Sequence, residues 1–308
     1  MLSRKNKLVL KKLLSLFSVV RGYNILIIVI AQYLSSIYIL AKDASLKEVV
    51  LDSKLFVLVF ATSLVIAAGY IINNFYDSEK DLINRPRKSM LDRLVSQNTK
   101  LSVYFVLNII TVLLASYVSF KATLFFSSYI FMIWFYSHKL KKYPFVGNII
   151  ASSLAIAPFF IVFVYYQNFD TVVFFHGLYL VLIISMREIT KDLENIKGDL
   201  ALGYQTLPVT YGIKVTKNLL SGLLVFTCLT IGSLLLFFDI GQMNYYFYLC
   251  ILLLCFYSVK LWKANRRKQY VLLHNLLKLI IVVGAFSIIL IKPNLLLSKI
   301  KSLSVLFN

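Results

Sequence analysis

Oxygen-bearing side chains recur at helical spacing in two places along this chain. Asn73, Asp77 and Asp81 stand at i, i+4 and i+8, and Asp192, Asn195 and Asp199 at i, i+3 and i+7. On a helix each set falls on one face, with neighbours about 5–6 Å apart. Such a row is half of a site for a hard divalent cation, because Mg²⁺ takes oxygen ligands and completes its shell with water or phosphate oxygens. Eight of the 13 acidic residues lie in these two segments: Asp77, Glu79, Asp81 and Asp92, then Glu188, Asp192, Glu194 and Asp199. Gathering carboxylates without a cation is costly, since like charges 4 Å apart repel by about 4 kcal/mol at an effective dielectric near 20. Either cluster alone would fit a solvated loop with ordinary helix-end charges. Two of them, each among Lys and Arg, point to divalent metal meeting a phosphorylated ligand.

The elements that must position these rows are apolar. The chain is 59% hydrophobic and 15% charged, where a soluble domain is about 25% charged. Apolar runs long enough to cross hydrocarbon recur throughout, and the short alternating segments of an outer-membrane barrel are missing. The expected fold is all-α: a polytopic membrane protein of nine spans in a bundle. The spans fall near 20–41, 55–75, 102–120, 122–137, 147–166, 171–187, 217–238, 243–262 and 272–291, and residues 1–308 read as a single domain. The boundary between the third and fourth spans is the least marked, with only Lys121 and its neighbours at the turn. The first span follows a basic stretch but is too long for a signal peptide, and no small-residue cleavage site is evident.

The net charge of +20 is unevenly placed. The tail 1–19 and the loops after the even-numbered spans hold 24 of the 33 Lys and Arg; the opposite loops and the C-terminal tail hold 7. The positive-inside rule then puts the N-terminus in the cytoplasm and the C-terminus outside, in the plasma membrane. Both acidic clusters follow even-numbered spans, so both are expected on the cytoplasmic face, as a shared site requires. Topology and anionic lipid explain the charge, and no nucleic-acid partner is expected. Cys228, Cys250 and Cys255 lie in spans without metal-ligand spacing, and His138, His176 and His274 are scattered. The recurrence of a cluster after span two and again after span six suggests two packed helical bundles with corresponding polar loops.

The pattern Asn73-Asn74-x-x-Asp77-x-x-x-Asp81, with Asp192-x-x-Asn195-x-x-x-Asp199 after the sixth span, resembles the UbiA superfamily of intramembrane prenyltransferases. Arg21 and Asn24 in the first span resemble a pair found there, as does Tyr136-Ser137-His138-Lys139-Leu140-Lys141 followed by Gly147-Asn148. Gly203-Tyr204-Gln205-Thr206-Leu207-Pro208 resembles the superfamily's G-x-x-T-L-P segment. Within the superfamily, Arg187-Glu188, Lys191-Asp192-Leu193-Glu194 and Asn84-Arg85-Pro86 most resemble the digeranylgeranylglyceryl phosphate synthases. Two departures stand out. Asn74 and Asn195 replace common Asp residues, and Arg87-Lys88-Ser89-Met90-Leu91 lacks the usual R-P-I-P-S-G continuation.

The resemblance implies a transfer of a polyprenyl group from a prenyl diphosphate to a lipophilic acceptor such as a prenylglycerol phosphate. Asn73, Asp77 and Asp81 would hold one Mg²⁺, and Asp192, Asn195 and Asp199 a second, with Asp77, Asp81, Asp192 and Asp199 as the catalytic carboxylates. Lys141 leads the expected diphosphate contacts, followed by Arg21, Arg87 and Lys139. Asn24 and Tyr136 are the expected substrate contacts, Tyr136 by offering an aromatic face to a passing allylic cation. An aromatic acceptor, such as a quinone or haem precursor, is the alternative within the enzyme class. A transporter is disfavoured because the acids sit at span ends rather than midplane, and a silent scaffold is favoured only by Asn74 and Asn195. If those two asparagines are weak substitutes for Asp, restoring a carboxylate at either should tighten metal binding.

Overall fold

The computed structural model describes residues 6, 15–41 and 44–293. Most of the basic tail expected over 1–19, and the C-terminal tail beyond 293, lie outside the described residues. Those residues form helices and no strands. Nine long helices carry the fold: α1 (Gly22–Ser35, continued by a π turn to Leu40), α2 (Ser53–Tyr76), α3 (Gln97–Val118), α4 (Phe120–His138), α5 (Val146–Tyr166), α6 (Thr171–Ala201), α7 (Gly212–Phe237), α8 (Asn244–Lys263) and α9 (Arg267–Ser287). Each coincides with an expected span. Among the described residues eight of them are long and apolar enough to cross a membrane. The exception is α4, a 19-residue helix diluted by Lys121, Ser127, Ser128 and several aromatic residues with polar atoms; it is held by packing on α2 and α3.

Side-chain caps start the helices where the sequence changes register. Asp52 accepts from the backbone N–H groups of Lys54 and Leu55 at the head of α2, at 2.9 and 3.2 Å. The obscure turn between the third and fourth spans is one residue: Ser119, in extended backbone, ends α3 and accepts from the Ala122 N–H of α4 at 3.1 Å. Pro158 sits inside α5 and cannot donate to the Leu154 carbonyl. The Tyr129 hydroxyl of α4 donates to that carbonyl instead, at 2.8 Å.

Two hydrophobic cores result. One centres on α2, walled by α3 and α4 and closed by Ile161 and Val162 of α5. The other lies among α6, α7, α8 and α9. Their polar ends carry the two acidic clusters, and they differ from expectation in one respect. The sequence puts the sixth span at 171–187, but α6 runs unbroken for 31 residues through the whole second cluster. Hydropathy falls after Arg187, yet no Pro intervenes, and Lys191 pairs with Glu188 one turn earlier at 3.0 Å, so the helix continues out of the apolar layer. Gly198 lies inside α6 rather than at its end. The Asn84 side chain occupies the space where a Cβ would stand and accepts from the Gly198 N–H at 3.3 Å.

Candidate active site

The first cluster begins where α2 ends. Asp77 leaves helical geometry (φ −91°, ψ 5°), and short helices follow at Ser78–Asn84 and Pro86–Asp92. The i→i−4 ladder survives the break: the Asp77 N–H donates to the Asn73 carbonyl at 2.9 Å and the Asp81 N–H to that of Asp77 at 2.8 Å. Asn73, Asp77 and Asp81 therefore keep a common face. They line a pocket with Asp192 and Asn195 of α6. The two clusters thus meet at one end of the bundle, which is the juxtaposition their spacing and parity predict.

Lysines hold the clusters together. The Lys141 ammonium pairs with Asp77 Oδ1 at 2.7 Å, and Lys80 pairs with Asp199 Oδ1 at 2.5 Å, joining the first cluster to α6. Burial alone would raise the Asp77 carboxyl, but Lys141 and Lys80 outweigh it and hold it below the usual carboxylate range. Burial, with the negative charge of Asp77 beside it, holds Asp81 above that range. Gly147 lets the Lys141 turn lie directly on α5, since a Cβ there would stand 3.2 Å from the Leu140 carbonyl oxygen and 3.3 Å from Lys141 Cα. The next residue, Asn148, donates to Asp192 Oδ2 at 2.7 Å.

Of the other expected residues, Arg21, Tyr136 and Lys141 line the pocket. Arg21 is held in left-handed backbone (φ 51°, ψ 52°), a conformation unfavourable to a residue bearing a Cβ. The turn separates helical residues 15–20 from α1 and sets the guanidinium 5.1 Å from the centroid of the Tyr70 ring. Asn24 does not line the pocket; it donates to the Tyr70 hydroxyl at 3.2 Å and so supports the ring beneath Arg21. Arg87 and Lys139 are exposed and outside the pocket. Asp199 is fully buried beneath it, held by Lys80 and by the Thr206 hydroxyl at 3.2 Å. The Thr-Leu-Pro segment thus contacts the buried carboxylate through Thr206, and the Lys80 ammonium lies 4.6 Å from the centroid of the Tyr204 ring.

Sequence reasoning missed Lys80, Asn148, Arg85 and Glu188, all of which line the pocket. The signal for Lys80 was its position one turn from Asp77. Asn148 follows Gly147 in the Gly-Asn pair after the fourth span, and no spacing in the sequence links it to Asp192. Arg85 reaches Glu194 at 2.8 Å, where Arg267 and His274 of α9 also converge, at 3.2 and 3.1 Å. Asn74, read as a weak metal ligand, turns away from the pocket. It bonds Asp92 and Lys100 instead, at 3.1 and 2.8 Å.

Among the described residues no three of His, Cys, Asp and Glu converge as a metal cage. The donor set nevertheless suits Mg²⁺ carried in with phosphate. Asn73, Asp81 and Asn195 line the pocket without a side-chain hydrogen bond to another described residue, and Asp77 and Asp192 each engage one carboxylate oxygen and leave the other. Mg²⁺ is commonly held by one or two carboxylates plus substrate phosphates rather than by an all-protein cage.

Comparison with known proteins places the chain in a family. A digeranylgeranylglyceryl phosphate synthase from Methanobrevibacter smithii is 26% identical over 88% of this chain and 97% of its own. Another, from Thermococcus sibiricus, is 32% identical over 54% of this chain and 59% of its own. Among solved structures, a digeranylgeranylglyceryl phosphate synthase superposes with a TM-score of 0.68 at 23% identity, covering 90% of this chain and 97% of that one. A UbiA homologue from Archaeoglobus fulgidus, bound to geranyl diphosphate and Mg²⁺, gives a TM-score of 0.65 at 13% identity, covering 89% and 99%. Residues 28–282 match the UbiA prenyltransferase family, and this chain, a multi-pass membrane prenyltransferase, belongs to it.

Proposed function

We propose that this enzyme joins a polyprenyl diphosphate to a prenylated glycerol phosphate at the cytoplasmic face of the membrane. The observation that carries the reading is the convergence of Asn73, Asp77 and Asp81 with Asp192 and Asn195 in one pocket at the end of an apolar bundle. The names of the relatives support the acceptor class, and the basic bias of the loops supports the face.

Two Mg²⁺ ions, one per cluster, would neutralise the diphosphate as the donor C–O bond breaks. Asn73, Asp77 and Asp81 from one cluster, and Asp192 and Asn195 from the other, would hold the ions that supply this neutralisation. Asn148 fixes the orientation of Asp192. Lys141 and Arg21 line the pocket and would supply the positive charge that a trianionic group still needs once the carboxylates have offset that of the Mg²⁺ ions. The C–O electron pair leaves with the diphosphate and the prenyl carbon becomes an allylic cation. Tyr136 offers a ring face to that cation. The acceptor hydroxyl attacks the carbon and passes its proton to the released diphosphate, giving an ether.

The test is product analysis. Purified protein in nanodiscs is incubated with radiolabelled geranyl, farnesyl and geranylgeranyl diphosphates against glycerol phosphate lipids and aromatic acceptors. An acid-stable ether lipid formed only with Mg²⁺ is the expected result. Label found only in prenylated aromatic products would replace the acceptor, and transfer at full rate in excess chelator would remove the metal from the reaction.

A further inference from the structure

Asn74 sits where the acidic pattern usually has Asp, beside three residues that face the pocket. Its own side chain enters a different network. Its Nδ2 donates to Asp92 Oδ2 at 3.1 Å, and its Oδ1 accepts from the Lys100 ammonium at 2.8 Å. Ser18 donates to the other Asp92 oxygen at 3.3 Å, and Ser15 donates to the Leu91 carbonyl at 2.8 Å. Asp92 is 3% exposed and Lys100 1%. Four pieces of chain meet here: residues 15–20, the last turn of α2, the end of the helix Pro86–Asp92 and the first turn of α3.

No direct ion pair joins Lys100 to Asp92; the amide of Asn74 stands between them. A carboxamide can do this because it accepts on one side and donates on the other while staying neutral. A carboxylate could accept from Lys100 but would have nothing to donate to Asp92, leaving two buried carboxylates about 3 Å apart. Asn74 shares the last turn of α2 with Asn73 and lies one turn before the break at Asp77. Its hold on Asp92 therefore fixes the rotation of that turn and the far anchor of the loop bearing Asp81.

We infer that Asn74 is a positioning residue: its amide bridges Asp92 and Lys100 and thereby orients Asn73, Asp77 and Asp81 toward the metal-diphosphate site, so a carboxylate at position 74 weakens metal use although it adds a negative charge. The inference rests on the proposed Mg²⁺-diphosphate reading of the pocket. It reverses the sign expected if position 74 were a depleted ligand.

The experiment compares Asn74→Asp, Asp92→Asn and the double variant in nanodiscs. The readout is Mg²⁺-dependent binding of geranylgeranyl S-thiolodiphosphate by calorimetry, which needs neither acceptor nor turnover. Asn74→Asp should raise the half-saturating Mg²⁺ concentration at least about fivefold. In the double variant the carboxylate at position 74 can accept both from Lys100 and from the amide at position 92, so no two carboxylates face each other, and the requirement should return to within about threefold of the unaltered protein. If Asn74→Asp alone does not fold, recovery of binding in the double variant carries the same meaning. A lowered Mg²⁺ requirement in Asn74→Asp would restore position 74 as a ligand and overturn the inference. So would an unchanged requirement, which would leave a packing role only, or a double variant that is unfolded or no better than the worse single. An unaltered protein that binds the analogue without any need for Mg²⁺ would instead defeat the proposed function.

Discussion

The two acidic clusters serve one pocket but are built differently. The second rides on α6, a helix unbroken for 31 residues. Its acids are sunk among neighbours, with Glu188, Glu194 and Asp199 at 8%, 5% and 0% exposure. The first straddles the end of α2 and two seven-residue helices. It is held to the rest by side-chain contacts: Lys141 on Asp77, Lys80 on Asp199, Arg85 on Glu194 and Asn84 on Gly198. One half is a fixed template, and the other is assembled against it. Removing one member of a buried ion pair strands its partner's charge, at a typical cost of about 3–5 kcal/mol. The assembled half should therefore lose geometry as well as chemistry when it is altered.

Replacing a carboxylate that faces the pocket should have the largest effect and should separate the halves. Asp77→Ala and Asp192→Ala are each expected to lower kcat at least about 100-fold, about 2.7 kcal/mol of barrier. Asp77→Ala should also free the Lys141 turn, so limited proteolysis ought to cut it faster at residues 139–143, whereas Asp192→Ala should leave that turn protected. Equal protection in both variants would mean that the first half is as rigid as the second. Near-normal turnover in either would mean that its carboxylate lies outside the chemistry.

Lys141→Met tests the tether from its other end. The methylene stem is kept and the charge removed, which strands Asp77 and deprives the diphosphate of a cation. A loss of about 30-fold in kcat/KM for the donor is expected, about 2 kcal/mol, with the acceptor KM little changed. A loss confined to the acceptor KM would move Lys141 to the other substrate. Gly198→Ala comes next. The added methyl would collide with Asn84 and push the loop off α6. Its expected cost is about tenfold in rate, about 1.4 kcal/mol, and Asn84→Ala in the same chain should recover most of it. Failure of that rescue would show that Gly198 matters to α6 itself rather than to the seam.

The spacing of the rows was legible in sequence because the contacts that define it are local. Asn73, Asp77 and Asp81 share a face through one ladder of backbone hydrogen bonds, and Asp192 and Asn195 do so within one helix. Eight of the nine expected spans were legible because hydrocarbon demands apolar length; α4, expected as the fourth, falls short of that composition and packs on α2 and α3. What the sequence hid was non-local or rotational. Hydropathy marks where α6 leaves the apolar layer, not where the helix stops. The pairing of Lys80 with Asp199 crosses between bundles. Asp199 fits the spacing of a ligand row yet lies beneath the pocket, because the chain at Thr206 folds back over it.

The smallest expected effect concerns the two asparagines that sequence treats alike. Asn74 is engaged on both sides of its amide, whereas Asn195 lines the pocket and makes no side-chain hydrogen bond to another described residue. A carboxylate at 195 thus displaces no partner. It adds one negative charge beside a proposed dication, worth about 2 kcal/mol at 4 Å in a fully water-like dielectric, against which the crowding of Asp192 and Glu194 must be set. The half-saturating Mg²⁺ concentration of Asn195→Asp should fall by about threefold to tenfold, and kcat should stay within about tenfold of the unaltered enzyme. Titrating Mg²⁺ against turnover checks both numbers. An unchanged Mg²⁺ requirement would remove Asn195 from the metal's surroundings and leave Asp192 as the sole contribution of α6 to it. A fall here, alongside a rise for Asn74→Asp, would show that the same substitution has opposite signs at two neighbouring sites because one amide faces the pocket and the other holds the frame.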